Sequence, residues 1–333
     1  MRILTLLKNL SNLKLYLKFN SEAISYFLYL LLLLSISCIS SPASKSFKDL
    51  KVDTTKFQAE FKDPKQIKIL IFGDSGTGNE NQYRVAKAMK EVCDKEGCDF
   101  GILLGDNFYE TGISSADDAQ FDEKFEKPYS PLGIKIYAVL GNHDYGLAGM
   151  IGGNTKYQVE YTSRSKYWVM PHSYYNIAGT EVELIGLDTN PFKKDKLQQE
   201  WLYETLEQSK ARWVLVFAHH PFFSGGRHGD DKGLEELLFP KLCQYADIYL
   251  AGHEHDLQLL QEKCDTEYFP HLISGAAGKK RATGKSERSL FAREGFGFTR
   301  LVLAGETMKI YYYDDYGKEV FHKDFPKRQI RKK

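Results

Sequence analysis

Surplus charge, cysteine and tryptophan are all scarce in this chain. Its 45 lysines and arginines against 44 aspartates and glutamates leave a formal net charge of +1. That balance gives no reason to expect nucleic acid or another polyanion as a partner. Five cysteines in 333 residues are too few for a disulfide-built scaffold, and none of their spacings is that of a zinc finger. No internal repeat and no low-complexity domain is visible, which excludes a solenoid. A hydrophobic fraction of 42% and an aromatic fraction of 14% exclude a disordered chain. No break in composition follows residue 65, so the length is read as one catalytic domain with a substantial core rather than two.

The one long uncharged apolar run lies near the start. Ala23 to Ile39 follows Arg2, Lys8, Lys14 and Lys18, the charge order of an export signal. Its length falls between a signal core and a comfortable membrane span. Cys38 ends it within Ser35-Ile36-Ser37-Cys38, similar to a loose bacterial lipoprotein processing site with Ser35 where an aliphatic residue is usual. Residues 1–45 are therefore expected to be a lipoprotein anchor, a cleaved secretory signal or a retained membrane helix, in that order. Each places the remainder outside the cytoplasm, membrane-anchored on the periplasmic or extracellular side or secreted. Residues 46–66 read as a polar linker, 67–326 as the catalytic domain and 327–333 as a basic, solvated tail. With Cys38 set aside, Cys93, Cys98, Cys243 and Cys264 permit three pairings. Cys93 and Cys98 flank a helix-ending turn, which favours a local bridge there and a second from Cys243 to Cys264.

The periodicities alternate between strand and helix. Ile67–Phe72, Phe100–Leu104, Ile134–Leu140, Val182–Leu187, Trp213–Phe217 and Ile248–Ala251 read as buried strands. Tyr83–Glu96 has helical spacing with Val85, Met89 and Val92 on one face, and 196–208 has Leu197, Trp201, Leu202 and Leu206 facing inward. A short helix is expected over 116–125, stopping at Pro128. Strand, helix, strand in repetition implies an α/β sheet with parallel pairing, closed into a mixed sheet by the alternating stretches after Leu257. Residues 146–166 are glycine-rich and read as an irregular loop over the site mouth, and 279–289 as an exposed loop.

Five strand ends carry polar signatures: Gly73-Asp74-Ser75-Gly76, Gly105-Asp106-Asn107-Phe108-Tyr109, Gly141-Asn142-His143-Asp144, Ala218-His219-His220-Pro221 and Gly252-His253-Glu254-His255-Asp256. Five polar tips on five strands point to one shared metal site. Asp74, Asp106, Tyr109, Asn142, His219, His253 and His255 supply oxygen and imidazole donors without a thiolate. Phenolate and carboxylate favour trivalent iron, while amide and imidazole suit a divalent partner. Two hard cations roughly 3.5–4 Å apart need a shared carboxylate, and such a pair activates water against phosphorus. Asp144, Asp188 and His220 read as hydrogen-bonding or structural supports rather than ligands.

These ordered motifs, with Tyr109 in the GDNFYETG stretch, resemble those of the metallophosphoesterases, and among them the purple acid phosphatases of the small tartrate-resistant type, from about Ile67 to Pro326. The resemblance implies a four-layer α/β fold, a mixed-sheet sandwich flanked by helices. It implies iron(III) on Asp74, Asp106, Tyr109 and His255, and a divalent iron, zinc or manganese on Asp106, Asn142, His219 and His253. His143 and His228 match the histidines that contact phosphate and protonate the leaving group. The activity implied is a dimetal acid phosphatase hydrolysing phosphate monoesters, small or on a phosphoprotein, by attack of a metal-bound hydroxide. A phosphodiesterase or nucleotidase on the same metals, or a catalytically silent surface binding protein, are the alternatives. Ser75 stands where an aromatic residue is often found, and the 146–166 stretch is not recognisably the mammalian one.

Overall fold

The computed structural model describes residues 54–147 and 151–329. The apolar leader with Cys38, the first part of the linker and the end of the basic tail lie outside the described residues. Among those described, no helix is long and apolar enough to cross a membrane.

Along the chain run β1 (Gln66–Phe72), α1 (Glu80–Glu96), β2 (Phe100–Leu103), β3 (Ile136–Ala138), β4 (Gly146–Leu147), β5 (Ile151–Gly152), α2 (Lys156–Tyr161), β6 (Trp168–Val169) and β7 (Tyr175–Ile177). Then come β8 (Val182–Gly186), α3 (Lys196–Gln208), β9 (Trp213–Phe217), α4 (Lys232–Tyr245), β10 (Ile248–Ala251), β11 (Leu257–Cys264) and β12 (Glu267–Ser274). The chain closes with β13 (Ser289–Arg293), β14 (Gly297–Ala304), β15 (Thr307–Asp314) and β16 (Glu319–Pro326). One seven-stranded sheet has the order β16-β15-β14-β1-β2-β3-β6 and another the order β13-β11-β12-β10-β9-β8-β7. In the first, β1, β2, β3 and β6 are parallel; in the second, β8, β9, β10 and β12 are. The remaining pairings are antiparallel, so both sheets are mixed.

Continuous apolar strands mark a sheet covered on both faces, and β9 and β10 are buried at every position. Ile71, Ile102 and Leu301 of the first sheet share one core with Leu184, Leu215 and Leu250 of the second, and Val85, Met89 and Val92 of α1 join it. Val214, Val216 and Tyr249 face the other way, packing with Leu202 and Leu206 of α3 and Leu234, Leu238 and Leu242 of α4. The layers are thus helix, sheet, sheet, helix, the expected mixed-sheet sandwich. Asn79 caps α1 by accepting from the backbone N–H groups of Asn81 and Gln82, and Gly97 at φ 82° ends it, as a residue without Cβ can. Cys93–Cys98 and Cys243–Cys264 are disulfide-bonded.

Several local expectations are corrected. Instead of a helix over 116–125 halted by Pro128, a wide helical turn spans Asp122–Glu126 and passes directly into Lys127–Tyr129. Pro128 cannot donate to the Lys124 carbonyl, and Gln82 Nε2 supplies that bond instead at 2.6 Å, so the turn continues. The 146–166 stretch is not irregular: it holds β4, β5 and α2. On α3, Leu197 points outward at 36% exposure, while Gln198 and Gln199 turn inward because they bond the backbone of Asp188 and Phe192. The 279–289 segment is not simply exposed, since the Arg281 N–H donates to the His255 carbonyl at 2.9 Å. Within the expected linker, Phe57 and Phe61 pack on the core, and Tyr137 Oη donates to the Phe57 carbonyl; the basic tail is not solvated throughout, since Arg328 is buried and donates to the Ala246 and Cys243 carbonyls.

His271 on β12 is fully buried against Phe222, Phe223 and Tyr249, with neither ring nitrogen hydrogen-bonded. Burial pushes its pKa down to about 3. An unfolded histidine protonates near ~6.5, so between those values the unfolded state holds more protons and stability falls as pH falls. The slope approaches ~1.4 kcal/mol per pH unit. His271→Phe is expected to flatten this dependence in urea-unfolding midpoints measured from neutral to mildly acidic pH; an unchanged slope would exclude His271 as its source.

Candidate metal centre

The polar signatures sit where parallel strands end. Asp74 follows β1, Asp106 and Tyr109 follow β2, and Asn142 and His143 follow β3; His219 follows β9, and His253 and His255 follow β10. The loops after these strands bond across the two sheets, the His253 N–H to Asp74 Oδ2 and His219 Nδ1 to the Leu104 carbonyl, both at 2.8 Å, and strand ends are a common position for a site in α/β folds. Asp74, Asp106, His253 and His255 have φ of 54°, 51°, 70° and 53°, a left-handed backbone that costs such residues energy and that packed surroundings must hold in place.

One set of donor atoms converges on Tyr109. Its Oη donates to Asp106 Oδ2 at 2.8 Å and lies 3.2 Å from Asp74 Oδ1 and 3.1 Å from His255 Nε2. His255 Nε2 is 3.3 Å from Asp74 Oδ1. A second set converges on His219 Nε2, which is 3.1 Å from Asn142 Oδ1, 3.1 Å from His253 Nδ1 and 3.5 Å from Asp106 Oδ1. His219 Nδ1 donates to the Leu104 carbonyl at 2.8 Å, so Nε2 carries the lone pair that faces the site. Asp106 turns one oxygen to each set.

The donors fit a pair of cations. Buried carboxylates, a phenol and imidazole lone pairs aimed at one another are costly without positive charge between them. Their spacing of about 3 Å is that of neighbouring ligands in a shell with ~2.1 Å bonds. Burial pushes the Asp74 carboxyl up to about 8, and burial with the Asp74 and Asp106 carboxylates pushes the Tyr109 phenol well up. Burial draws His255 down to about 4 and His253 much lower, leaving neutral imidazoles. Asp74, Asp106 and His219 form a compact metal-capable group, and so do His219, His220 and His253. His220, however, has its Nδ1 engaged by Thr189 Oγ1 at 2.8 Å, consistent with the supporting role read from its sequence position.

Supporting residues hold the tips in place. Asp144 accepts from the N–H groups of Asn107, Phe108 and Gly141 and from Gln158 Nε2, and burial pushes it up to about 7. Asp188 accepts from Tyr145 Oη and Asn190. The His143 N–H donates to Asp106 Oδ1 at 2.9 Å, and its Nδ1 donates to the Glu110 carbonyl at 2.7 Å. His228 stacks on His253 with ring centroids 4.3 Å apart. A cleft of about 340 Å³ opens beside this pair, walled by His220 and reaching Lys232 at the start of α4.

All nine site residues read from the sequence therefore meet in one place. Sequence reasoning missed Glu254, which is fully buried and accepts from Ser224 Oγ at 2.7 Å and the His228 N–H at 3.1 Å. Its position between two histidines was the available signal. Gln158 and Arg281 carried none, since nothing local says that they fold back onto these loops.

The calcineurin-like phosphoesterase family matches residues 67–257. Purple acid phosphatase 17 of Arabidopsis thaliana is 30% identical over 298 residues, covering 79% of this chain and 85% of that protein. Tartrate-resistant acid phosphatase type 5 of Mus musculus is 30% identical over 306 residues, covering 79% and 91%. Among solved structures, GAP50, the anchor in the inner membrane complex of Plasmodium, aligns with a TM-score of 0.71 at 20% identity over 79% of this chain and 90% of that one. Purple acid phosphatase PPD1 from yellow lupin seeds aligns with a TM-score of 0.66 at 17% identity over 81% and 56%. At such identities the two structures speak for the fold alone.

A Cβ on Gly141 would lie 2.2 Å from both the backbone nitrogen and Oδ1 of Asp106. Gly141→Ala is expected to lower retained metal at least tenfold by displacing that carboxylate, with far-UV circular dichroism unchanged. Full metal content in the variant would show that Asp106 does not hold the ions.

Proposed function

We propose, from the premise that this chain belongs to the calcineurin-like phosphoesterases and among them to the purple acid phosphatases, that its dinuclear centre pairs iron(III) with a divalent ion. Asp74, Asp106, Tyr109 and His255 would hold the iron, and Asp106, Asn142, His219 and His253 a divalent iron, zinc or manganese. The chain is a metal-dependent phosphomonoester hydrolase, an acid phosphatase with two metals. The observation that carries the ligand assignment is the division of Asp106, with Oδ2 at 2.8 Å from Tyr109 and Oδ1 at 3.5 Å from His219.

When bound, the two cations would acidify water and neutralise the phosphate oxygens. The protein's own groups do the rest. His143, with Nδ1 committed to the Glu110 carbonyl, keeps Nε2 for a phosphate oxygen. His228, with Nδ1 3.3 Å from Glu254 Oε2, keeps Nε2 to give a proton to the departing alkoxide. One ester and one water yield an alcohol and phosphate. Burial excludes water from Asp74, Asp106 and Tyr109, which strengthens every charge interaction among them. Export is supported by the pairing of Cys93 with Cys98 and of Cys243 with Cys264, a state that persists in oxidising compartments.

A phenolate on iron(III) absorbs visible light, whereas a phenol does not. Tyr109→Phe is expected to bleach the metal-loaded protein while leaving it folded; an unchanged visible band would take Tyr109 out of the centre. His228→Ala is expected to slow alkyl phosphates by ~10²-fold or more, and nitrophenyl phosphate much less, because a good leaving group needs no proton. Equal losses on both would contradict proton donation.

A further inference from the structure

The segment between β12 and β13 is pinned over the centre from several sides. The Gly275 N–H donates to the Asp256 carbonyl at 3.1 Å, that of Ala277 to Gly73 at 3.2 Å, and that of Arg281 to His255 at 2.9 Å. A Cβ on Gly278 would lie 2.4 Å from the Ser75 carbonyl, so the backbone there is packed directly on the loop after β1.

The cations of this segment differ in what they are bound to. Lys279 Nζ donates to Glu110 Oε1 at 2.7 Å and lies 3.8 Å from the centre of the Tyr109 ring. Arg288 is paired with Glu262 and Asp230. Arg281 has no carboxylate within ion-pair distance among the described residues. Its Nη1 lies 3.4 Å from Nε2 and 3.5 Å from Nδ1 of His228. That histidine stacks on His253. Arg281 therefore stands next to His228, which in turn stacks on the candidate ligand His253.

Resting on the phosphatase reading above, we propose that Arg281 is a specificity-determining residue that binds a second phosphate carried by the leaving group, so that diphosphates are favoured over monoesters of uncharged alcohols. With the scissile phosphate at the metal donors and its leaving oxygen at His228, the next group outward reaches Arg281. A guanidinium presents its N–H donors in a plane that matches phosphate oxygens, and no carboxylate of the described residues is paired with it. In the reaction water adds to the terminal phosphorus, and the bond from that phosphorus to the bridging oxygen breaks. The electron pair stays on the bridging oxygen, which departs with the second phosphate. One diphosphate and one water give two hydrogenphosphate ions.

The test compares kcat/KM for inorganic diphosphate and p-nitrophenyl phosphate in the metal-loaded full chain, its Arg281→Gln variant and its Arg281→Lys variant. A charge-assisted contact of this kind is worth ~1.5–3 kcal/mol, so the ratio of the two is expected to fall at least tenfold in Arg281→Gln, through KM, with partial recovery in Arg281→Lys. Calorimetry with methylenediphosphonate and methylphosphonate, which are not hydrolysed, is expected to show the same loss in relative affinity. Unchanged ratios, or equal losses on both members of each pair, would overturn the proposal. If the wild type turns over neither substrate, the phosphatase reading fails, and the calorimetric ratio still decides the role of Arg281.

Discussion

The carboxylate of Asp106 is the point on which the site loops converge. It is 1% exposed, receives the His143 N–H and the Tyr109 hydroxyl, and has Gly141 packed directly against it. A buried carboxylate beside Asp74 is a costly arrangement unless a cation, or several hydrogen bonds, answers it. Here the hydrogen bonds answer part of the charge, while Oδ1 of Asp106 also faces the lone pair of His219 Nε2 at 3.5 Å, and the Tyr109 oxygen faces Asp74 and His255 as well. Positive charge is what those opposed lone pairs lack, and a carboxylate shared between two ions is the way to hold two cations close together.

That constraint explains the backbone around it. Of the non-glycine residues with left-handed φ, Asp74, Asp106, His253 and His255 are all candidate ligands, and Asp265 in a hairpin turn is the other among the described residues. Such conformations persist only when neighbours over-determine them. The Asp144 carboxylate does this from behind, gathering N–H groups from Asn107, Phe108 and Gly141. Gln158 completes it with bonds to both Asp144 and Asn107. The energy that ordinary loops keep by staying solvated is here spent on a fixed set of ligand positions.

How much of this the sequence announced depends on whether the signal was local. β1, β2, β9 and β10 were legible because a strand buried on both faces must be continuously apolar, and the donors were legible because each follows such a strand within a few residues. The route past Pro128 was not, because it depends on Gln82, 42 positions from Lys124, satisfying a carbonyl that proline leaves unpaired. Apolar spacing alone would put Leu197 on the inner face of α3, and the structure leaves it outside. In the structure the needs of the Asp188 and Phe192 backbones set it, bringing Gln198 and Gln199 inside. The 146–166 and 279–289 stretches misled for a related reason, since glycine and lysine content describes a loop's solubility but not which backbone groups dock it.

The donors also divide between the sheets. Asp74, Asp106, Tyr109 and Asn142 come from the ends of β1, β2 and β3, whereas His219, His253 and His255 come from β9 and β10. Ions held by both groups tie the two sheets together at their polar ends, where the apolar core no longer reaches, so metal binding contributes to folding free energy as well as to chemistry. Because the seven donors sit on strand ends fixed by that core, the rim can vary without disturbing them. The segment carrying Lys279 and Arg281 is held at the centre by backbone hydrogen bonds and by the contacts of these two side chains with Tyr109 and His228, and it supplies no candidate ligand. Arg281, the proposed specificity residue, thus belongs to this rim segment, while the donors belong to the strand ends.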